Sequence, residues 1–239
     1  MDKERREEMT PEQIRLYRRR RKILLQKRRR RRRLAILAAA IAIVVVIVLV
    51  ALLSGAFRKR SSTDLLTIEK DGSAVFEENG DLSSASGLKA FVKEQIDSYN
   101  KTNGADAVKL EEYAKDGDHY YVRTNYKNLS TYSDFTGYRA FNGTVSDAKA
   151  AGYAFDSGFK TITYQKSTDT TTFNDASADA FKAQKVFIIK EWGISVKVPG
   201  TVTGTSLAGN VQYDPGESTV RIKKQSDSGA APLTYIFYR

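Results

Sequence analysis

The chain has 239 residues, with 39 Lys and Arg against 28 Asp and Glu, and it contains no cysteine. The absence of cysteine excludes disulfides, thiol catalysis, lipid attachment to Cys, and Cys-ligated zinc or iron–sulfur clusters. The first 33 residues hold sixteen basic and five acidic residues, and their balance of +11 equals that of the whole chain. The basic character therefore belongs to an N-terminal tail, and the rest of the chain is neutral.

The basic tail runs directly into an apolar segment. Residues 34–53 are twenty uncharged residues, which as a helix would be about 30 Å long, the thickness of a bilayer's hydrocarbon core. The excess of cations before this segment predicts that the N-terminus is cytoplasmic and that the C-terminal part is extracytoplasmic. The sequence therefore predicts a single-pass protein of the cell membrane, with the membrane itself as a partner.

The last six residues of the tail are expected to contact anionic lipid headgroups at the cytoplasmic face. They are Arg28, Arg29, Arg30, Arg31, Arg32 and Arg33. Runs of arginine also bind nucleic acid, but next to a membrane span this run indicates topology, and nucleic acid is not an expected partner.

A cleavable signal peptide is the alternative to a permanent anchor. Such peptides have an apolar region of about 7 to 15 residues behind a short basic head. The longer head and longer apolar segment here favour an uncleaved signal anchor. Ser54 and Ala56 nevertheless form a pair of small residues typical of cleavage sites, so cleavage after Ala56 stays open.

The remaining residues predict one extracytoplasmic domain, 64–239, joined to the span by a linker at 54–63. Hairpins are predicted from 65–69 with 74–78, and from 108–113 with 119–126, because both pairs flank short Asp-Gly turns. Between them, a helix is predicted from the spacing of apolar residues, and Asn103-Gly104 should end it. These apolar residues are Leu88, Phe91, Val92, Ile96 and Tyr99. Phe91, Val92 and Ile96 among them are expected in the core.

The second half of the domain reads mainly as strands. Short helices are predicted at 131–135 and 145–151, the latter capped by Thr144 and Asp147, and a helical turn is predicted within 174–181. The predicted strands are 159–165, 185–191, 194–198, 211–213, 219–223 and 233–238. Because strands outnumber helices and hairpins outnumber crossovers, we expect an α+β domain with a mainly antiparallel sheet and a few short helices.

Several segments of this domain resemble an uncharacterised family of small exported lipoproteins from clostridia-like bacteria. The segments are 67–72, 106–110, 143–148 with 151–153, 196–200 and 235–238. More distantly, the DGS turn of the first hairpin and the late Val-Pro-Gly resemble the LppM-type lipoprotein domain, which implies an α+β sheet. Such lipoproteins carry a lipobox that ends in Cys, whereas residues 53–56 end in Ala56. Either this match to a lipobox is a coincidence of common residues, or the chain has a transmembrane anchor where the lipoproteins have a lipid. In both cases Ala56 cannot be acylated.

No catalytic constellation stands out. The single histidine, His119, adjoins a hairpin turn beside Asp116 and Asp118, and turns commonly contain such acidic residues. Two Ser-x-x-Lys matches, at Ser86 and Ser146, are too loose a pattern to indicate a penicillin-binding enzyme. Two pairs of adjacent carboxylates occur, Glu77-Glu78 and Glu111-Glu112. The two members of each pair should point to opposite faces of their strand, so neither pair can act on one substrate. We therefore expect no enzyme activity, no cofactor and no metal site.

The predicted strand 119–126 suggests one ligand-binding surface. Alternation should direct Tyr120, Val122, Thr124 and Tyr126 toward the core. The opposite face then presents a ring, a cation and an amide that could bind a sugar or an anion. These candidate ligand-binding residues are Tyr121, Arg123 and Asn125. Ordinary cross-strand pairing on a solvated face is the alternative.

The function favoured by the sequence is a membrane-anchored extracytoplasmic binding or interaction module of the bacterial cell envelope, with an envelope protein or glycan as ligand. One alternative is a structural component of a division or wall-synthesis assembly. The other is an envelope hydrolase, which the lack of catalytic motifs disfavours.

Overall fold

The computed structural model describes residues 60–82, 87–156, 158–206, 208–215, 218–224 and 231–239. They belong to one unit of the chain, Arg60–Arg239. The predicted basic tail with Arg28 to Arg33, the predicted span 34–53 and most of the linker lie outside the described residues. Among the helices that are described, none is long and apolar enough to cross a membrane.

The described residues form three α-helices and thirteen strands. The helices are α1 (Leu88–Asn103), α2 (Leu129–Thr136) and α3 (Val145–Ala150). The first seven strands are β1 (Leu65–Ile68), β2 (Ala74–Asp81), β3 (Val108–Asp116), β4 (His119–Tyr126), β5 (Ala140–Thr144), β6 (Phe159–Gln165) and β7 (Thr170–Ala176). The others are β8 (Lys185–Ile189), β9 (Ile194–Lys197), β10 (Val202–Ser206), β11 (Val211–Asp214), β12 (Thr219–Ile222) and β13 (Thr234–Tyr238). Short 3-10 helices lie at Ala178–Phe181 and Ala208–Asn210.

The strands form two sheets. The first sheet has the order β11-β12-β9-β1-β2-β4-β3, and the second has the order β5-β8-β13-β10-β6-β7. Among the described strand pairs, only β1 with β9 is parallel. The α+β class and the mainly antiparallel pairing are therefore confirmed, but the strands divide between two sheets.

The main core lies between the two sheets. It combines Leu66 and Val196 of the first sheet with Phe187, Ile189 and Ile236 of the second. All five side chains are almost completely buried. The sheets therefore pack face to face over this cluster.

The second sheet is buried on both faces. Val186 and Ile188 of β8 and Phe237 of β13 point away from the main core into a smaller cluster. Helix α3 and the 3-10 helix at Ala178–Phe181 cover that cluster through their own buried side chains. Continuous apolar sequences such as residues 186–189 follow from this double burial, because both faces of the strand need apolar side chains.

Most predicted elements are confirmed, and three strands are new. Both hairpins form, helix α1 ends at Gly104, and Thr144 with Asp147 makes the predicted capping box of α3. The predicted helical turn within 174–181 forms as the 3-10 helix at Ala178–Phe181, whereas residues 174–176 belong to β7. β5, β7 and β10 escaped prediction because they are rich in Thr, Asn and Gly, which give no apolar alternation.

Candidate functional site

A groove lies between α1, α2 and the face of the first sheet that β2 and β4 form. It encloses about 520 Å³, a size typical of sites for small molecules. Apolar side chains from all four elements line it: Phe76, Phe91, Val92, Tyr99, Val122, Tyr126, Phe135 and Tyr138. Its polar lining residues are Asp64, Glu78, Gln95, Ser98, Thr124, Asp134 and Thr136.

Phe91 is at the groove and not in the core, so the sequence-based prediction for this residue is wrong. Its side chain is 58% exposed, whereas Ile96 on the same helix is 6% exposed. The two residues are five positions apart, which separates their side chains by about 140° around the helix axis. When Ile96 points into the core, Phe91 is turned toward solvent.

Three carboxylates, Asp64, Glu78 and Asp134, line the groove beside the aromatic rings. Glu78 is on the inner face of β2, where its Oε1 accepts a hydrogen bond of 2.8 Å from the Tyr120 hydroxyl. Asp64 precedes β1, and its Oδ1 accepts a 2.8 Å hydrogen bond from the Asn79 backbone N–H. Asp134 is exposed on α2. Within the described part of the chain, no Lys, Arg or His forms an ion pair with these three groups.

Gly80 makes room for the Tyr120 ring. A Cβ atom at Gly80 would come within 2.5 Å of the Tyr120 ring carbon Cε1 and 2.6 Å of its hydroxyl. The ring can therefore lie across β2 and reach Glu78 only because residue 80 has no side chain. This packing fixes the position of the Glu78 carboxylate at the groove.

The electrostatic potential is negative at the end of the groove that contains Asp64 and Glu78. Burial raises the pKa of the Asp64 carboxyl, and the Asn79 N–H only partly opposes this. The pKa of the Tyr120 hydroxyl is raised by burial first, and then by its bond to Glu78 and by the charges of Glu78 and Asp64. The pKa of Tyr138 is raised by burial and by the charges of Glu191, Glu78 and Asp64.

The residues predicted to bind a ligand lie on the outer face of the same sheet, as the alternation along β4 predicted. Tyr121 and Arg123 are 6% and 7% exposed, which differs from the exposed ring and cation expected from the sequence. Tyr121 donates a 2.9 Å hydrogen bond to Glu77, Arg123 forms ion pairs with Glu77 and Glu111, and Asn125 lies 3.3 Å from Glu111. The three side chains therefore come together, but their donors are used within the protein.

A β-bulge at Glu111 brings the side chains of both Glu111 and Glu112 to the outer face of the sheet. The pairing of β3 with β4 passes from Leu110 opposite Thr124 to Glu112 opposite Arg123, so Glu111 is an extra residue. Arg123 Nε is 2.6 Å from Glu111, and Arg60 Nε is 2.8 Å from Glu112. Both carboxylates thus reach cations on the outer face, and the prediction that adjacent residues 111 and 112 point to opposite faces is wrong. A bulge changes side-chain direction in this way.

The segment before β1 covers part of the outer face. The Arg60 guanidinium lies 5.4 Å from the centre of the Tyr121 ring. The Ser61 backbone N–H donates a 3.0 Å hydrogen bond to Glu77. Burial by itself would lower the pKa of Arg123. The hydrogen bond to Glu111 and the charges of Glu77 and Glu111 outweigh this effect, so the pKa is raised.

The other polar motifs are not assembled into a reactive centre. His119 contacts Asp81 across the β2–β4 pair, and both side chains are mostly exposed. Ser146 is exposed on α3, and the Lys149 ammonium lies 5.7 Å from the centre of the Phe155 ring. Ser86 lies outside the described residues. In the part of the chain that the structure covers, no group of three His, Asp or Glu side chains could hold a metal ion.

Comparison of the chain with known protein families, curated proteins and solved structures finds no match. The groove therefore has to be interpreted from its own residues. Sequence reasoning missed it because its walls come from segments far apart in the chain. The one available signal was Phe91, whose position 140° from Ile96 is at the edge of the apolar stripe.

Proposed function

We propose that this protein is a membrane-anchored extracytoplasmic binding module of the bacterial cell envelope, and that it binds its ligand in the groove between α1, α2 and the first sheet. The anchor is supported by the arginine run and the apolar segment 34–53 that follows it. Ligand binding is supported by the lining of the groove, which combines aromatic surface with carboxylates held in place by hydrogen bonds.

The observation that carries the binding role is the position of Phe91. Single exposed apolar residues are common on protein surfaces. Phe91, however, lies at a groove that also contains Tyr138, a second exposed aromatic side chain. Two exposed rings at one concave surface bury apolar area when a ligand enters, which is the usual source of affinity at such sites.

The test uses the full-length protein in its native envelope. A photo-crosslinking amino acid in place of Phe91 should give a covalent adduct of defined mass, because the bound ligand lies within reach of that side chain. The same amino acid in place of Tyr164 is the matched control, since Tyr164 is exposed on β6 of the other sheet. Equal labelling at both positions, or no adduct at either, would contradict the proposal.

A second variant links the adduct to the groove. Ser98 is an exposed residue of α1 that lines the groove. Ser98→Trp should fill part of the space without disturbing the core and should strongly reduce labelling at position 91. An adduct that is a second protein of the envelope would instead favour the alternative role as a component of an assembly.

A further inference from the structure

We propose that the ligand of the groove is a small organic cation, that is, an amine or quaternary ammonium group on an apolar body. This inference rests on the proposed binding function and specifies its ligand class. It depends on the charges and rings of the groove and not on the membrane anchor.

The charge of the groove is complementary to that of a cation. Asp64, Glu78 and Asp134 line the groove, and its described lining residues include no Lys, Arg or His. An anionic ligand would meet uncompensated repulsion there, whereas a cation would be attracted. Asp64 is half-buried and Glu78 is held by Tyr120, so both carboxylates are positioned before a ligand arrives. Preorganised groups add affinity because they lose little freedom on binding.

The lining of the groove is rich in aromatic rings. Six of the fifteen lining residues are aromatic: Phe76, Phe91, Tyr99, Tyr126, Phe135 and Tyr138. The face of an aromatic ring attracts a cation and tolerates the apolar substituents of an alkylated nitrogen. A metal ion would have no use for these rings. An apolar ammonium ion uses both the rings and the carboxylates.

The carboxylates of the groove differ from those on the outer face of the same sheet, which are paired with cations of the protein. There, the carboxylates of Glu77 and Glu111 are satisfied by Arg123, and Glu112 is satisfied by Arg60. The groove carboxylates have no such partner among the described residues. The domain therefore supplies its own cations on one face of the sheet and leaves the carboxylates of the other face for a ligand.

The test measures binding to the full-length protein in micelles of a non-ionic maltoside detergent. Three soluble probes share a benzene ring and differ in charge: benzyltrimethylammonium, benzyl alcohol and benzenesulfonate. Saturation-transfer NMR and calorimetry should show saturable binding of benzyltrimethylammonium at millimolar concentration or below. Benzyl alcohol should bind roughly fivefold more weakly or worse, and benzenesulfonate should not bind.

Substitutions then locate the site. Glu78→Gln keeps an acceptor for Tyr120 and removes the charge, and Asp134→Asn removes a second charge. Each should weaken benzyltrimethylammonium binding about fivefold, the size of one cation–π or partly screened charge contact. Glu69→Gln and Asp179→Asn are matched controls, because these carboxylates are exposed and outside the groove lining. The controls should leave binding unchanged.

The outcomes separate this inference from the proposed function. If benzyltrimethylammonium shows no saturable binding, or if its affinity is unaffected by Glu78→Gln and Asp134→Asn, the ligand is not an organic cation. If an adduct still forms at position 91 in that case, the binding function stands with a ligand of another class. If neither adduct nor probe binding is seen, both proposals fail.

Discussion

At the residue scale, Arg123 shows how one buried cation organises a sheet face. It is opposite Glu77 in the β2–β4 register and is bonded to Glu111 at the bulge of β3. Three neighbouring strands are thus joined through one side chain. Removing a single partner from such a buried cluster is costly, because it leaves charges without compensation in a poorly solvated place.

We therefore predict that Arg123→Met lowers the free energy of unfolding by about 3 kcal/mol, since Glu77 and Glu111 lose their common partner. Chemical denaturation of the full-length protein in non-ionic micelles, followed by circular dichroism, measures this. Arg60→Met is the matched control: its ion pair with Glu112 is half exposed, and such pairs contribute about 1 kcal/mol or less. Equal effects of the two substitutions would contradict the buried role of Arg123.

Tyr121 makes the stability of this cluster dependent on pH. Burial, and then the hydrogen bond to Glu77, raise the pKa of Tyr121 from 10.0 to about 12. A group whose pKa is higher in the folded state stabilises fully below its unfolded pKa, and the contribution disappears as pH rises to the folded value. Tyr121→Phe should therefore cost about 1.5 kcal/mol at pH 8. The difference from wild type should shrink between pH 10 and 12. A difference that stays constant with pH would exclude the hydroxyl as its cause.

At the element scale, α1 contributes both to the main core and to the groove, and Val92 and Tyr99 take part in both. Ile96 belongs to the main core, and Val92 and Tyr99 pack against it. Phe91 and Ser98 line the groove. One buried residue, Ile96, anchors the helix, and the aromatic side chain of Phe91 stays exposed at the groove.

We predict opposite outcomes for two substitutions on this helix. Ile96→Asp should cost several kcal/mol and unfold a domain of ordinary stability, because an unpaired charge would enter the core. Phe91→Asp should leave the thermal transition within a few degrees of wild type, since this side chain is already exposed. Phe91→Ala should leave that transition unchanged as well and should weaken benzyltrimethylammonium binding about fivefold, because it removes one ring and adds no charge. A normal transition for Ile96→Asp would refute the packed face of α1, and unfolding of Phe91→Asp would place Phe91 in the core.

At the scale of the whole molecule, the described domain carries its candidate groove on one face of the first sheet and its ion network on the other. The network holds residues 60 and 61, which lie within the predicted linker 54–63, through Glu112 and Glu77. The described segment that precedes β1 is therefore held against the outer face of the first sheet.

The predicted topology is tested by protease added to intact protoplasts. Digestion should remove the domain after Arg60 and spare an epitope placed before Thr10, because the basic tail is expected in the cytoplasm. Permeabilised protoplasts are the control, in which the epitope should also be lost. Protection of the C-terminal domain in intact cells would reverse the predicted orientation.

Local sequence determined several features of this protein by itself. Asp-Gly turns predicted the two early hairpins, and Gly104 and Thr144 marked helix ends, because each of these depends on neighbouring residues only. The anchor predicted from charge and hydropathy lies outside the described residues and stays a prediction. Alternation along β4 also predicted correctly which side chains share a face.

Only the tertiary structure decided the candidate site and the burial of its surroundings. The walls of the groove come from α1, α2, β2 and β4, and no local pattern specifies how such segments meet. The outer face of β4 was expected to be exposed, but Glu77 of β2, Glu111 of β3 and the segment before β1 pack around Tyr121 and Arg123 and make it a buried ion network. Phe91 fitted the apolar stripe, but which residue of a stripe is buried depends on how the helix is rotated against its sheet. That rotation is set by the packing of Ile96, a contact between distant parts of the chain.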